Sequence, residues 1–196
     1  SPDGKQLLVQ SGFAFPWRGE VLVPASRIFS CRDLQDDNQV GIGKSEDWLT
    51  LHAGNWTVHL RNEKEARYPR VDDHIPEGSE SDSTLHLSNP DAEFLMETIT
   101  RLPAGKDHCA PVTVDLNGHV AIRAKAEDQP TLTELVLAGS SYRGDPLLIN
   151  TNRQFLARAL TLGFRDVHFR GPEIPAFCRD DRRNYVWAVL ESDGAI

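Results

Sequence analysis

The sequence predicts an α+β fold in which units of one helix and several strands are strung along the chain. Three observations carry that prediction. Val21-Leu22-Val23-Pro24-Ala25-Ser26-Arg27-Ile28-Phe29 matches Leu147-Leu148-Ile149-Asn150-Thr151-Asn152-Arg153-Gln154-Phe155, apolar for apolar, with Arg and Phe in register 126 residues later. A fainter copy, Thr84-Leu85-His86-Leu87-Ser88-Asn89-Pro90-Asp91, lies about midway and has the same order of apolar strand, capping residue and amphipathic helix. Each of these heads precedes a run of short strands, so a β-α-β-β-β unit recurs every 62 to 64 residues. Such units place their helices on one face of antiparallel sheets.

The first part of the chain reads as a strand at Gln6 to Val9, a turn-rich passage through Pro16 and Gly19, a strand at Val21 to Val23, and a helix over Arg27 to Leu34 that Asp36-Asp37-Asn38 ends. Strands follow at Gln39 to Ile42, Trp48 to His52 and Trp56 to Arg61, the last two joined by Ala53-Gly54-Asn55, whose Gly and Asn accept positive φ. Glu77 to Ser83 is acidic, small and without apolar anchors, which marks it as a linker. It sets the expected division at 1–78 and 79–196. In the second unit a strand at Thr84 to Leu87 leads into a helix from Asn89 to Leu102, with Phe94, Leu95, Ile99 and Leu102 on one side. Strands at Val112 to Leu116, His119 to Ala124 and Thr131 to Leu137 follow, with Asn117-Gly118 as a hairpin turn. The third unit has a strand at Leu147 to Ile149, a helix from Thr151 to Leu162 closed by Gly163, and strands at Asp166 to Arg170, Ala176 to Arg179 and Tyr185 to Leu190. At 100° per residue, Phe155, Leu156, Ala159 and Leu160 form the inward face of that helix, while Arg153 and Arg158 flank the open one. Ser140 to Asp145 reads as a connector between units. Two units make a closed module, so three leave the first without a partner half and imply a further segment upstream.

Composition limits the function. The 196 residues are 39% hydrophobic, enough for one sizeable core or two modest ones. No apolar run approaches the roughly 20 residues that span a bilayer, and Ser1-Pro2-Asp3-Gly4-Lys5 lacks the pattern of a secretory signal. Cys31, Cys109 and Cys178 are odd in number and unpaired in spacing, which suggests neither a disulfide framework nor a zinc site and fits a reducing cytoplasm. The net charge of −8 argues against a surface that coats nucleic acid all round, yet leaves room for a local basic face.

Several segments carry a family resemblance. Asp3-Gly4-Lys5-Gln6-Leu7 resembles a Thr-Asp-Gly-His-Arg-Leu segment, Val21-Leu22-Val23-Pro24 a Val-Ile-Val-Pro junction, and Arg67-Tyr68-Pro69 with Ile75-Pro76 an Arg-Phe-Pro-Asp-Tyr...Val-Leu-Pro segment. Asn184 to Leu190 is similar to a closing Tyr-Val-Val-Met-Pro-Met-Arg-Leu strand. Together they resemble the bacterial DNA sliding clamps, the beta subunit of DNA polymerase III, over the second half of the middle domain (1–78) and the C-terminal domain (79–196). The resemblance implies a clamp, or processivity, architecture: a homodimeric ring that encircles duplex DNA without reading its sequence, with helices lining the hole. It implies no catalytic residue, no metal and no cofactor. The DNA-facing candidates are Arg27, Arg32, Arg101, Arg153 and Arg158, against which Asp91, Glu93 and Glu97 stand on the middle helix. A solvated helix surface accounts for isolated arginines equally well. Polymerase and clamp-loader subunits would dock through a short peptide at Gly4, Leu7, Pro69, Val186, Val189 and Leu190. At that groove the family's basic and apolar residues fall here on Asp73 and His74, the His-Arg pair on Lys5-Gln6, and the Met-Pro-Met-Arg-Leu ending on Ala188-Val189-Leu190-Glu191-Ser192. The domain that meets a second protomer in the family's ring is absent from this sequence.

Rival chemistry is weaker. His52 and His59 lie on adjacent strands of one hairpin, and Asp72-Asp73-His74 groups two carboxylates with an imidazole, but no His-Glu-x-x-His motif exists and the second cluster sits in a loop. Ser140-Ser141-Tyr142 lacks a nucleophile-elbow pattern, and Gly41-Ile42-Gly43-Lys44-Ser45 has the wrong glycine spacing for a phosphate loop. Trp48, Trp56 and Trp187 read as sheet-packing residues, while Trp17 in its turn is the aromatic to examine as a contact. The sequence thus points to a non-catalytic replication clamp. The alternative is a clamp-fold scaffold that has lost ring formation.

Overall fold

The computed structural model describes residues 5–34, 39–66, 75–76, 81–105, 109–127 and 130–196. The chain folds as two compact units, Gly12–Val71 and a larger one made of Ser1–Ser11 with Asp72–Ile196.

The larger unit repeats the expected order twice. Its first copy runs β5 (Ser83–His86), α1 (Asn89–Thr98, extended by a 3-10 turn at Ile99–Arg101), β6 (Pro111–Asp115), β7 (Ala121–Lys125) and β8 (Leu132–Val136). The second runs β10 (Leu148–Asn152), α2 (Arg153–Thr161), β11 (Asp166–Phe169), β12 (Ala176–Arg179) and β13 (Arg183–Trp187). Both helices start on a side-chain cap that accepts an otherwise orphaned N–H: Ser88 Oγ from Asp91 N at 3.2 Å, and Asn152 Oδ1 from Gln154 N at 2.8 Å. Gly163, at φ 89°, follows α2 and ends it in the left-handed conformation that glycine tolerates.

Strand pairing interleaves the two copies. A six-stranded sheet has the order β1-β13-β12-β11-β5-β9, where β1 is Gln6–Gln10 and β9 is Ser141–Gly144; a four-stranded sheet has the order β10-β6-β7-β8. Every pairing is antiparallel. Between them lies one core that joins Leu85, Val114, Ile122, Ile149, Val167, Phe169, Tyr185 and Trp187 from the strands to Leu95, Ile99, Phe155, Leu156, Ala159 and Leu160 from the helices. Buried aromatic polar atoms are answered: Trp187 Nε1 donates to Thr151 Oγ1 at 3.0 Å and the Tyr185 hydroxyl to Gln6 Oε1 at 2.9 Å.

Four details of the larger unit differ from the sequence reading. Residues 141–144, expected as a connector, form β9 and pair with β5. Close packing requires a glycine there, since a Cβ on Gly144 would lie 1.9 Å from the Asp82 carbonyl oxygen. β1, grouped by sequence with residues 1–78, hydrogen-bonds β13 in the larger unit. The linker expected at Glu77 to Ser83 falls partly outside the described residues, and its last residue opens β5. Phe94, expected on the inner side of α1, is 45% exposed, because its neighbours Leu95 and Ile99 already fill the contact.

The smaller unit holds a three-stranded antiparallel sheet, β2 (Val40–Lys44), β3 (Trp48–Ala53) and β4 (Trp56–Arg61), turning at Gly54 with φ 54°. Its head does not repeat the βα pattern. Residues 21–23 form no strand; Leu22 is held instead by Asn62 Oδ1 on its N–H and by Glu63 N–H on its carbonyl. The expected helix over 27–34 is two short 3-10 turns, Arg27–Ser30 and Arg32–Leu34. The first buries no residue and leaves Phe29 half exposed, so nothing selects a longer amphipathic helix here. Trp48 and Trp56 are likewise 46% and 53% exposed rather than buried: strand alternation gives the inward place beside Trp48 to Leu49, and Trp56 stands at the hairpin end.

Phe155 is 8% exposed and sits in the core as the repeat requires. Phe155→Ala is expected to lower stability by about 3–5 kcal/mol in denaturant melts; a loss below about 1 kcal/mol would mean that the α2 face is not the anchor of this core.

Candidate functional site

Of the five arginines assigned to DNA, one is not at the surface. Arg153 opens α2 and is 3% exposed. Its Nε donates to Ala110 O at 2.7 Å, Nη1 to Leu102 O at 2.6 Å and Ile99 O at 3.3 Å, and Nη2 to Pro103 O at 2.6 Å and Pro111 O at 3.4 Å. The guanidinium therefore points inward and spends its donors on the end of α1 and the link into β6. Burial holds its pKa below the ordinary arginine value. It cannot meet a phosphate, which corrects its assignment as a DNA-facing residue. The signal was in the sequence: Arg153 stands three and seven residues before Leu156 and Leu160, the spacing of one helical face.

Arg158 and Arg101 are exposed on the larger unit, and Arg27 and Arg32 on the smaller one. Arg158 Nη1 donates to Gln6 Oε1 at 3.2 Å and its guanidinium stands 5.9 Å from the Tyr185 ring centre. α1 and α2 pack against each other. The exposed charged residues of α1, its 3-10 extension and α2 are Glu93, Glu97, Arg101 and Arg158, two of each sign, so these helices are balanced in charge rather than basic.

The second assigned group concerns the last strand. Leu7 on β1 and Val186 on β13 are register partners, and Val186 is buried. Val189 packs against the core. Leu190 N–H donates to Asn150 O at 2.8 Å, and Asn150 Nδ2 donates to Glu191 O at 3.2 Å, which ties the chain after β13 to the outer strand of the four-stranded sheet. Val189 and Leu190, with Glu173, Glu191, Ser192 and Asp193, line one surface depression. Leu7 and Val186 therefore pair between β1 and β13, Val189 and Leu190 line the depression, whose lining includes neither Leu7 nor Val186, and Gly4 and Pro69 lie outside the described residues.

The enzymatic candidates find structural partners instead. His59 Nδ1 pairs with Thr50 Oγ1 at 3.0 Å and His52 Nδ1 with Thr57 Oγ1 at 3.1 Å, each across β3 and β4. His86 Nδ1 lies 2.7 Å from Asp166 Oδ1. His168 is stacked 4.8 Å from Phe177 and bonded to Thr84 Oγ1 at 3.1 Å. Burial, the largest cause, pushes its pKa below the usual histidine value. Among the described residues no group of three or more His, Cys, Asp or Glu is placed to hold a metal. Asp72-Asp73-His74 lies outside them. Cys178 is buried, which raises its thiol well above the reactive range.

Sequence reasoning missed two features. Glu173 and Asp193 join the depression from a loop and from the segment after β13, positions without any motif. Phe13, Phe15 and Trp17 alternate along the turn passage and adjoin in series, Phe13 tilted against Phe15 at 6.2 Å and Phe15 stacked on Trp17 at 5.3 Å between ring centres, a pattern readable as an extended-chain alternation.

Two outcomes are expected from these placements. Arg153→Ala leaves five carbonyls without their donor and lowers stability by about 2–4 kcal/mol in denaturant melts, with Arg153→Lys recovering only part because an ammonium lacks the planar fork. His168 has its folded pKa below its unfolded value, so the unfolded state binds the extra proton; stability is full above pH ~6.5 and falls as the pH drops below it. His168→Gln flattens that acid-side fall in a series of melts from pH 7.5 to 5; an unchanged slope would assign the effect elsewhere.

No protein-family model matches this chain, and no curated protein matches it. Solved structures do. A Pseudomonas aeruginosa DNA polymerase sliding clamp with ligand matches with TM-score 0.76 and 20% identity, over 96% of this chain and 53% of that one. The C. crescentus beta sliding clamp matches with TM-score 0.76 and 17% identity, over 96% and 52%. A Bartonella birtlesii sliding clamp, DNA polymerase III subunit beta bound to griselimycin, matches with TM-score 0.77 and 18% identity, over 96% and 52%. This chain therefore has the fold of the DNA polymerase III beta sliding clamps and spans about half of their length.

Proposed function

We propose that this chain is a sliding-clamp-type processivity factor: a non-catalytic DNA-replication protein that encircles or lies on duplex DNA and tethers the replicative polymerase. The observation that carries the reading is the clamp fold itself, continuous over 96% of the chain. In this reading residues 1–78 belong to a clamp middle domain and 79–196 form the C-terminal domain. Exposed Arg27, Arg32, Arg101 and Arg158 contact phosphates without reading bases. Polymerase and clamp-loader subunits dock a short peptide along Gly4, Leu7, Pro69, Val186, Val189 and Leu190. The reading includes association of copies of the chain, for which the outer strand β8, with Leu132 and Val136 43% and 53% exposed, offers an unpaired edge.

A second reading has its own support. The balanced charge of the α1 and α2 surface and the inward turn of Arg153 favour a clamp-fold scaffold that binds proteins and has left DNA.

Measured affinity for a plain duplex across salt separates the two. A clamp-type contact gives log K falling linearly with log salt, and alanine at Arg27, Arg32, Arg101 or Arg158 reduces that slope by about 1 each. No salt-dependent affinity for duplex in any topology, circular or linear, would leave the scaffold as the function.

A further inference from the structure

We propose that the depression beside the last strand selects a peptide segment that pairs aliphatic anchors with Lys or Arg. The inference rests on the peptide-docking part of the function proposed above and specifies the partner's chemistry. The depression, about 320 Å³ in volume, has Val189 and Leu190 as its apolar lining and three carboxylates, Glu173, Glu191 and Asp193, around them. All three carboxylate residues are exposed, and among the described residues none takes part in an ion pair. Glu173 Oε1 accepts a hydrogen bond from Ser192 Oγ at 3.1 Å, which fixes one carboxylate at the rim without neutralising it. Lys5 lies beside the same stretch, its carbonyl accepting the Ala188 N–H at 2.8 Å. The residues that line the depression include three carboxylates and no cation, so the lining is net negative.

The backbone of the site is set in place rather than loose. Leu190 N–H and Glu191 O are both bonded to Asn150, and the 3-10 turn at Ser192–Gly194 packs on β10. A Cβ on Gly194 would lie 2.7 Å from Asn150 Nδ2, so a side chain there would have to displace the Asn150 amide that bonds Glu191 O. The carboxylates are therefore presented from a preorganised segment, and an occupant need not order it. An incoming chain with Asp or Glu beside its aliphatic residues meets like charge at the rim, whereas Lys or Arg there is attracted and steered.

The test uses the intact chain and four fluorescent peptides of equal length measured by anisotropy. Three share two Leu anchors and differ in flanking charge, carrying Lys, Gln or Asp; the fourth carries Lys with Ser in place of the anchors. The proposal expects the Leu–Lys peptide to bind tightest, to weaken as salt is raised, and to lose about tenfold in affinity in the E191K/D193K double variant. E191Q/D193N, with thermal unfolding to verify the fold, should lose part of that preference. Equal or tighter binding of the Gln or Asp peptide overturns the charge preference and leaves peptide docking standing. Equal binding of the anchorless Lys peptide overturns the site in favour of general attraction to an acidic surface. Binding of none of the four removes peptide docking itself.

Discussion

The buried guanidinium of Arg153 holds the larger unit in register. A charged group taken from water normally demands a counter-ion, yet this one is satisfied by backbone carbonyls of Ile99, Leu102, Pro103, Ala110 and Pro111. Those carbonyls belong to the end of α1 and to the chain on its way into β6, where helix geometry leaves acceptors without intrahelical donors. One side chain at the start of α2 therefore supplies the cap for α1 and fixes the two helices relative to each other. Ala110 contributes to the same contact from a left-handed backbone, φ 40°, the sole non-glycine residue with positive φ among those described. A turn that would otherwise be costly is held by the donor it faces.

This arrangement bears directly on how the helical surface meets a polyanion. With Arg153 committed to the interior, the outward faces of α1 and α2 offer Arg101 and Arg158 against Glu93 and Glu97. A ring that slides needs diffuse positive charge rather than a strong local site, because affinity for phosphate is a sum over neutralised contacts. Four exposed arginines are compatible with such a sum, but two of them lie on the smaller unit and the chain carries −8 overall. DNA affinity in this chain would thus be modest and sensitive to salt. The fold alone does not set it; the placement of charge on the fold does.

The parts of the structure legible in the sequence are those where a local pattern and the tertiary contact agree. The strand β12 and both helices of the larger unit follow apolar periodicity and side-chain caps, and the inward quartet Phe155, Leu156, Ala159 and Leu160 follows a single helical face. Where local pattern lacked a tertiary partner, it failed. Arg27 to Leu34 repeats the letters of α2's opening, yet its apolar residues find no core, and it settles into 3-10 turns. Residues 141–144 failed in the opposite sense: a polar stretch becomes a strand because β5 offers a free edge and Gly144 permits the close approach. Arg153 was misplaced because charge was weighed above spacing. The site residues on the last strand were reachable only through resemblance, and Glu173 and Asp193 through neither route, since loop positions become neighbours of Val189 and Leu190 only once the sheet has folded.

The same logic explains why a clamp fold at 17–20% identity leaves function open at its contact surfaces. The core is constrained by volume, pairing and satisfied hydrogen bonds, so it tolerates sequence change only along narrow lines. Rim charges carry no such constraint. Exchanging a basic residue for Glu191 after the last strand leaves the Asn150 bonds that shape the segment untouched, because on that segment they use the Leu190 N–H and the Glu191 C=O of the backbone. Shape and charge at this site are therefore separable: in the docking proposed above, the backbone would preserve the place while the side chains around it would decide which partner is admitted.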